Sequence, residues 1–194
     1  GTEGGGAVGR KSYPQTLPLA DREIVLTFDD GPWPGTTRAV LEALVAECTQ
    51  ATFFLVGQRV RENPDIARAV RDAGHTIAYH SMTHPNLSHL SFERAQDNVM
   101  RGMAAVDEAL GDRAAAPFFR FPGFADTPEL VAWLAEQNIG TFGTDIWASD
   151  WNPMTPEKQL DLILYRLEQR GRGILLFHDT KKHTAAMLPR FLRE

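Results

Sequence analysis

The feature that most constrains this chain is an alternation. Short apolar runs rich in β-branched and aromatic residues are separated by stretches with helical periodicity. The runs fall at residues 24–29, 51–56, 76–79, 117–122, 141–146 and 174–177. Between them, Asn63-Pro64-Asp65, Thr127-Pro128-Glu129 and Thr155-Pro156-Glu157 each give a cap, a first-turn proline and an acid, the signature of a helix start. Further helices are expected at about 36–48, from a Ser91 cap to Leu110, and at 184–193. Strands that are apolar throughout, alternating with amphipathic helices, predict a parallel sheet covered by helices. A barrel and an open doubly wound sheet both fit. No glycine-rich phosphate loop follows the first strand, which excludes the usual nucleotide-binding version.

The totals exclude several classes. A chain of 194 residues with 43% hydrophobic and 23% charged residues is expected to form one domain. The net charge of −5 points away from nucleic acid and anionic membrane surfaces. No apolar run approaches the roughly 20 residues of a membrane span. Cys48 is the single cysteine, so no intrachain disulfide can form. It continues the stripe Leu41, Leu44, Val45 and is expected to be buried. Residues 1–20, with Gly4-Gly5-Gly6 and no periodicity, are expected to be a flexible arm before a domain over 21–194. The first residue is Gly1 and no charged-then-apolar leader is present, so a processed or trimmed form is expected.

The unusual polar residues gather at strand ends. Asp29 and Asp30 end the first strand, His80 the third, Arg120 the fourth and His178 the last, while Asp150 closely follows the fifth. In a parallel α/β fold the C-terminal strand ends share one face, where sites are built. Asp29-Asp30-Gly31 alone reads as a solvated turn; the pattern at the other strand ends favours one composite site.

His80 and His84, spaced i, i+4, would aim two imidazoles at one point on a helical turn. With Asp30 they make a two-His, one-carboxylate set that leaves positions open for water and substrate, as in catalytic zinc sites. Asp29 is then free to act as base, oriented by Arg120. His178 beside Asp150 is a candidate general acid. The set supplies base, acid and Lewis acid for adding water to a carbonyl. A salt bridge in the barrel mouth would equally explain Arg120 or Asp150 taken singly. His75 sits at a strand start, away from the site, and is expected to be structural. Trp33, Phe124, Trp147 and Trp151 lie in loops of the functional face, where they could stack on sugars or pack the core.

These residues resemble the polysaccharide deacetylases of the NodB-homology type, the fourth carbohydrate esterase family. Thr27-Phe28-Asp29-Asp30-Gly31, His80-Ser81-Met82-Thr83-His84-Pro85, Arg120-Phe121-Pro122, Asp150-Trp151 and Leu176-Phe177-His178 follow the family's five motifs in order. The resemblance implies a distorted, incomplete (β/α) TIM-like barrel of about six to seven parallel strands, with residues 21–194 as its catalytic domain. It implies zinc, or another divalent ion such as cobalt, and removal of acetyl groups from N-acetylglucosamine-containing glycans, chitin-like or peptidoglycan-like. It assigns Asp29 as base, His178 as acid, Arg120 and Asp150 as their partners, and Asp30, His80 and His84 as metal ligands. Leu176 would line the acetyl pocket, Gly123 would donate its N–H to the oxyanion, and Phe124 and Trp151 would touch substrate. A monomer is expected, and a place at the cell envelope, in the periplasm or outside the cell follows from the substrate class.

Three departures from the family pattern stand out. Gly123 precedes Phe124 where an aromatic followed by glycine is common, which alters the groove wall. Ala78-Tyr79 replaces a frequent Gly-Asn before His80. The chain ends on a helical segment where one more strand is expected. Rival readings are an O-acetyl esterase on xylan, a non-haem Fe(II) enzyme with the same ligand set, and a non-catalytic carbohydrate-binding relative.

Overall fold

The computed structural model describes residues 6–111 and 115–194. Among these residues eight strands form one sheet: β1 (Ala7–Val8), β2 (Ile24–Asp29), β3 (Thr52–Leu55), β4 (Thr76–Tyr79), β5 (Phe118–Phe119), β6 (Gly140–Phe142), β7 (Ile146–Trp147) and β8 (Gly173–His178). Each adjacent pair runs parallel, in the order β1-β6-β5-β4-β3-β2-β8-β7. Among the described residues seven α-helices accompany it: α1 (Thr37–Ala46), α2 (Gly57–Glu62), α3 (Pro64–Asp72), α4 (Phe92–Leu110), α5 (Pro128–Glu136), α6 (Pro156–Arg170) and α7 (Lys182–Phe191). Three of the expected caps are present, the Ser91, Thr127 and Thr155 side chains accepting from the N–H three residues on, whereas Asn63 makes no side-chain cap bond and its amide donates back to Arg59 O at 3.2 Å. Beneath the central strands Phe28 stacks on Phe53 and Phe177 at ring separations of 5.0 and 5.8 Å, all three fully buried.

The connectivity shows that the sheet curls. β6 and β7 lie at opposite ends of the strand order, yet residues 143–145 alone join them. Four chain steps reach at most about 14 Å, so the two sheet ends approach one another. No strand pairing bridges them among the described residues, and the barrel is incomplete. The predicted architecture is therefore present.

Several local expectations need correction. The predicted strand over 141–146 is two short strands that serve opposite sheet ends. The supposed arm is ordered from residue 6 onward, because β1 pairs with β6 (Ala7 beside Thr141, Val8 beside Phe142). This edge strand near the N-terminus flanks β6. Residues 1–5 lie outside the described residues. Cys48 is exposed, because α1 stops at Ala46 and Cys48 adopts a φ of 50° beyond the cap. Val45 is 60% exposed; the buried face is Val40, Leu41, Ala43 and Leu44.

Candidate active site

Asp29 is the last residue of β2 and is buried, with 3% of its surface exposed. Its Oδ1 accepts a 2.7 Å bond from Nη1 of Arg120, which is itself fully buried just after β5. Arg120 also donates to Thr27 Oγ1 (2.8 Å), Phe142 O (3.2 Å) and Gly143 O (2.8 Å), and its guanidinium lies 4.3 Å from the Phe54 ring centroid. Four bonds and one stacked ring fix the plane of the guanidinium, and through it the Asp29 carboxylate. The two carbonyls come from the last residue of β6 and the first of the β6–β7 link, so the barrel seam itself holds this pair.

Asp30 follows with a φ of 79°, which turns its carboxylate to the same side as that of Asp29 rather than to the opposite face. Its Oδ1 lies 3.2 Å from His80 Nε2 and 3.1 Å from His84 Nε2. Burial opposes the Asp30 charge, but the imidazoles beside it outweigh burial and hold its carboxyl well below the usual range. The two histidines are not on a helix: Ser81 and His84 have φ values of 67° and 58°, in a loop after β4. His84 N–H donates to Ser81 Oγ (3.0 Å), and Asn98 of α4 accepts from Met82 N–H (3.0 Å). His80 Nδ1 bonds the Arg120 carbonyl at 2.7 Å. A carbonyl can only accept, so Nδ1 carries a proton, and Nε2 is the ring nitrogen turned toward Asp30.

These three residues fit a divalent ion. Asp30 Oδ1 is a buried oxygen that makes no well-directed hydrogen bond, although two ring nitrogens lie just over 3 Å away. Ligand atoms bonded at about 2.0–2.1 Å around a tetrahedral ion stand roughly 3.3 Å apart, close to these spacings. Two imidazoles and one carboxylate are also the donor types that such an ion takes.

His178 ends β8, beside Asp29 in the register. Its Nδ1 lies 2.7 Å from Asp150 Oδ1, and its own N–H donates to Asp150 Oδ2 at 2.6 Å. Burial disfavours the imidazolium, but the bond to Asp150 and the nearby acids win and push the His178 pKa up to about 9. Thr184 Oγ1 also donates to Asp150 Oδ2 (2.7 Å) and accepts from Gln159 (2.9 Å). His183 Nε2 meets the Asp150 carbonyl (2.8 Å).

Asp29, Asp30, His80, His84 and His178 open onto a cavity of about 350 Å³, also lined by Lys11, Phe121, Gly123, Phe124, Trp151 and Leu176. Gly123 has a φ of 61°, and its N–H has no partner among the described residues. Leu176 is 1% exposed and forms part of the wall; Trp151 is 47% exposed and meets the His178 ring edge-on at 6.0 Å. A cavity of about 370 Å³ lined by Arg10, Asp145, Arg170 and Arg172 contains none of these groups.

The polysaccharide deacetylase family profile matches residues 17–140. The chain belongs to the polysaccharide deacetylase family. It is 38% identical over 186 residues to a peptidoglycan-N-acetylglucosamine deacetylase of Bacillus cereus, covering 92% of this chain and 84% of that one. It is 31% identical over 158 residues to a chitooligosaccharide deacetylase of a Bradyrhizobium strain, covering 81% and 71%. Among solved structures, a peptidoglycan deacetylase of Bdellovibrio bacteriovorus superposes with a TM-score of 0.87 at 38% identity. That match covers 97% of this chain and 52% of the other, so the chain spans about half the length of that relative.

The eleven residues given site roles from the sequence either line this cavity or, as with Arg120 and Asp150, bond to residues that do. Gly123 and Phe124 both line the cavity. Tyr79, which replaces a more usual asparagine, buries its ring and bonds Asp107 at 2.7 Å, away from the cavity. His75 is buried at a strand start, where its Nδ1 accepts the Ala51 N–H (3.2 Å). Trp33 does not line the cavity; Arg59 stacks on it at 4.7 Å. Sequence reasoning did not find Lys11, nor the supports Asn98, Gln159 and Thr184. Lys11 comes from the segment expected to be a free arm, and the others carry no motif of their own.

Proposed function

We propose that the chain hydrolyses N-acetyl groups of N-acetylglucosamine-containing glycans. One observation carries the reading: an oriented carboxylate (Asp29 on Arg120) and an oriented imidazole (His178 on Asp150) flank the Asp30, His80, His84 cluster. His80 Nε2 lies 3.8 Å from Asp29 Oδ2, and His178 Nε2 lies 3.8 Å from Asp30 Oδ2. A base and an acid on either side of one point suit the addition of water to a carbonyl and departure of an amine.

Asp30, His80 and His84 would hold zinc or a similar divalent ion, which when bound supplies Lewis acidity toward the acetyl carbonyl. Asp29 takes the proton of the attacking water while Arg120 keeps the carboxylate aimed. The Gly123 N–H donates to the developing oxyanion, a contribution of about 2.7–4 kcal/mol where such donors have been removed. Leu176 packs against the acetyl methyl. His178, charged at neutral pH, delivers its proton to the leaving nitrogen. Phe124 and Trp151 give the sugar ring apolar faces at the cavity rim. Substrates of this kind place the protein in the periplasm, at the envelope or outside the cell.

The test is acetate release from N-acetylglucosamine oligomers, peptidoglycan and acetylated xylan, with zinc, with cobalt and after chelation. The expected result is zinc-dependent release from the N-acetylated substrates, with or without oxygen. Release from xylan alone would make the protein an O-acetyl esterase, oxygen-dependent activity an iron enzyme, and no release a binding relative.

A further inference from the structure

Lys11 reaches the catalytic cavity from outside the five motifs, and its placement is built. Gly9, at a φ of 109°, turns the chain over the end of β6 so closely that a Cβ there would meet the Gly143 carbonyl carbon at 2.5 Å. The Lys11 N–H then donates to Thr144 O at 2.9 Å, and Tyr13 Oη bonds Asp126 at 2.9 Å. The side chain runs between two rings, with Nζ 4.9 Å from the Trp147 centroid and 5.3 Å from that of Phe124. No carboxylate pairs with it among the described residues. The acids of the cavity are engaged elsewhere, Asp29 by Arg120 and Asp30 by the two histidines. Aromatic faces restrain an ammonium without neutralising it or using its N–H donors.

We propose that Lys11 is a specificity residue that pairs with a carboxylate on the sugar beside the one losing its acetyl group. The preferred substrate is then an acidic N-acetylated glycan rather than a neutral one. This rests on the deacetylase reading and narrows it. A neutral sugar offers hydroxyl and amide oxygens, for which an unpaired charge gives little selectivity. A carboxylate gains a charge-assisted hydrogen bond at a site already held in place.

Three probes test it: a peptide-free peptidoglycan oligosaccharide with free lactyl carboxylates, the same oligosaccharide with those carboxylates amidated, and an N-acetylglucosamine tetramer. The acid should exceed its amide in kcat/KM by about fivefold, the upper range for an exposed pair. The preference should shrink between about 0.05 and 0.5 M salt. Lys11→Gln should bring the ratio to about one, and Lys11→Arg should retain it. Each ratio comes from one preparation, so a partly folded variant does not distort it. Equal rates on acid and amide in the unaltered protein, or an unchanged ratio in Lys11→Gln, would overturn the assignment while leaving the deacetylase reading intact. Acetate from none of the three probes would overturn both.

Discussion

Replacing Arg120 with methionine strands a carboxylate in the barrel. Asp29 keeps only 3% of its surface in contact with solvent and loses its 2.7 Å partner. Breaking a buried pair in this way costs about 3–5 kcal/mol. Phe142 O and Gly143 O lose their donors as well, at about 1–3 kcal/mol each if left dry. These terms share one cavity and do not add fully. A loss of at least about 4 kcal/mol is expected, against a total stability of about 5–15 kcal/mol. Urea titration followed by circular dichroism measures it, with Tm falling by roughly 8–16 °C for a chain of this size. Adding Asp29→Asn to Arg120→Met removes the stranded charge and should recover about 2 kcal/mol. A single variant losing under about 1 kcal/mol, or a double variant no more stable than the single, would refute the buried-pair argument.

Further outcomes follow from the geometry. His178 is held up to about 9 against its burial chiefly by Asp150, so kcat/KM should fall as pH rises and the imidazole loses its proton. The same raised pKa stabilises the fold below about 6.5, and that stabilisation is lost as pH rises through about 9. Asp150→Asn should move the basic limb of the profile to lower pH; an unmoved limb would show that another group titrates there. A divalent ion at Asp30 would offset one of the acids facing His178, so the His178 imidazole, followed by NMR, should titrate at lower pH in the loaded protein than in the ion-free protein. Gly102→Ala places a Cβ 2.6 Å from Met82 N, inside the loop that carries His80 and His84. Although alanine favours helix by about 1 kcal/mol, the clash should cost about 1–3 kcal/mol overall and weaken zinc binding, read by denaturation and by metal titration.

Much of this was legible before the structure, for physical reasons. Phe28, Phe53 and Phe177 sit in runs apolar throughout because both faces of their strands are covered, and the Thr127 and Thr155 caps announce their helices by chemistry alone. Asp29, His80, Arg120 and His178 were readable because parallel strands bring their C-terminal ends together. The rest depends on tertiary context. Ala7-Val8 has no strand pattern of its own and becomes β1 only because β6 offers an edge. Residues 141–146 look continuous, but Gly143 and the seam divide them between opposite ends of the sheet. The spacing of His80 and His84 imitates a helical turn, whereas positive φ at Ser81 and His84 brings the rings together by a different path. Cys48 followed the periodicity of α1 past the point where the helix stops. Lys11 has no signature at all, since its position is set by Gly9 folding over Gly143.

The central claim is the division of labour between adjacent carboxylates, Asp30 for the ion and Asp29 for the water. Zinc content and acetate release measured together on Asp29→Asn and Asp30→Asn test it most directly. The account predicts that Asp29→Asn keeps about one zinc per chain and loses activity by a factor on the order of 10²–10⁴. Asp30→Asn should lose both. An Asp29→Asn protein that keeps most of its activity, or that loses its zinc while Asp30→Asn retains it, would contradict the assignment.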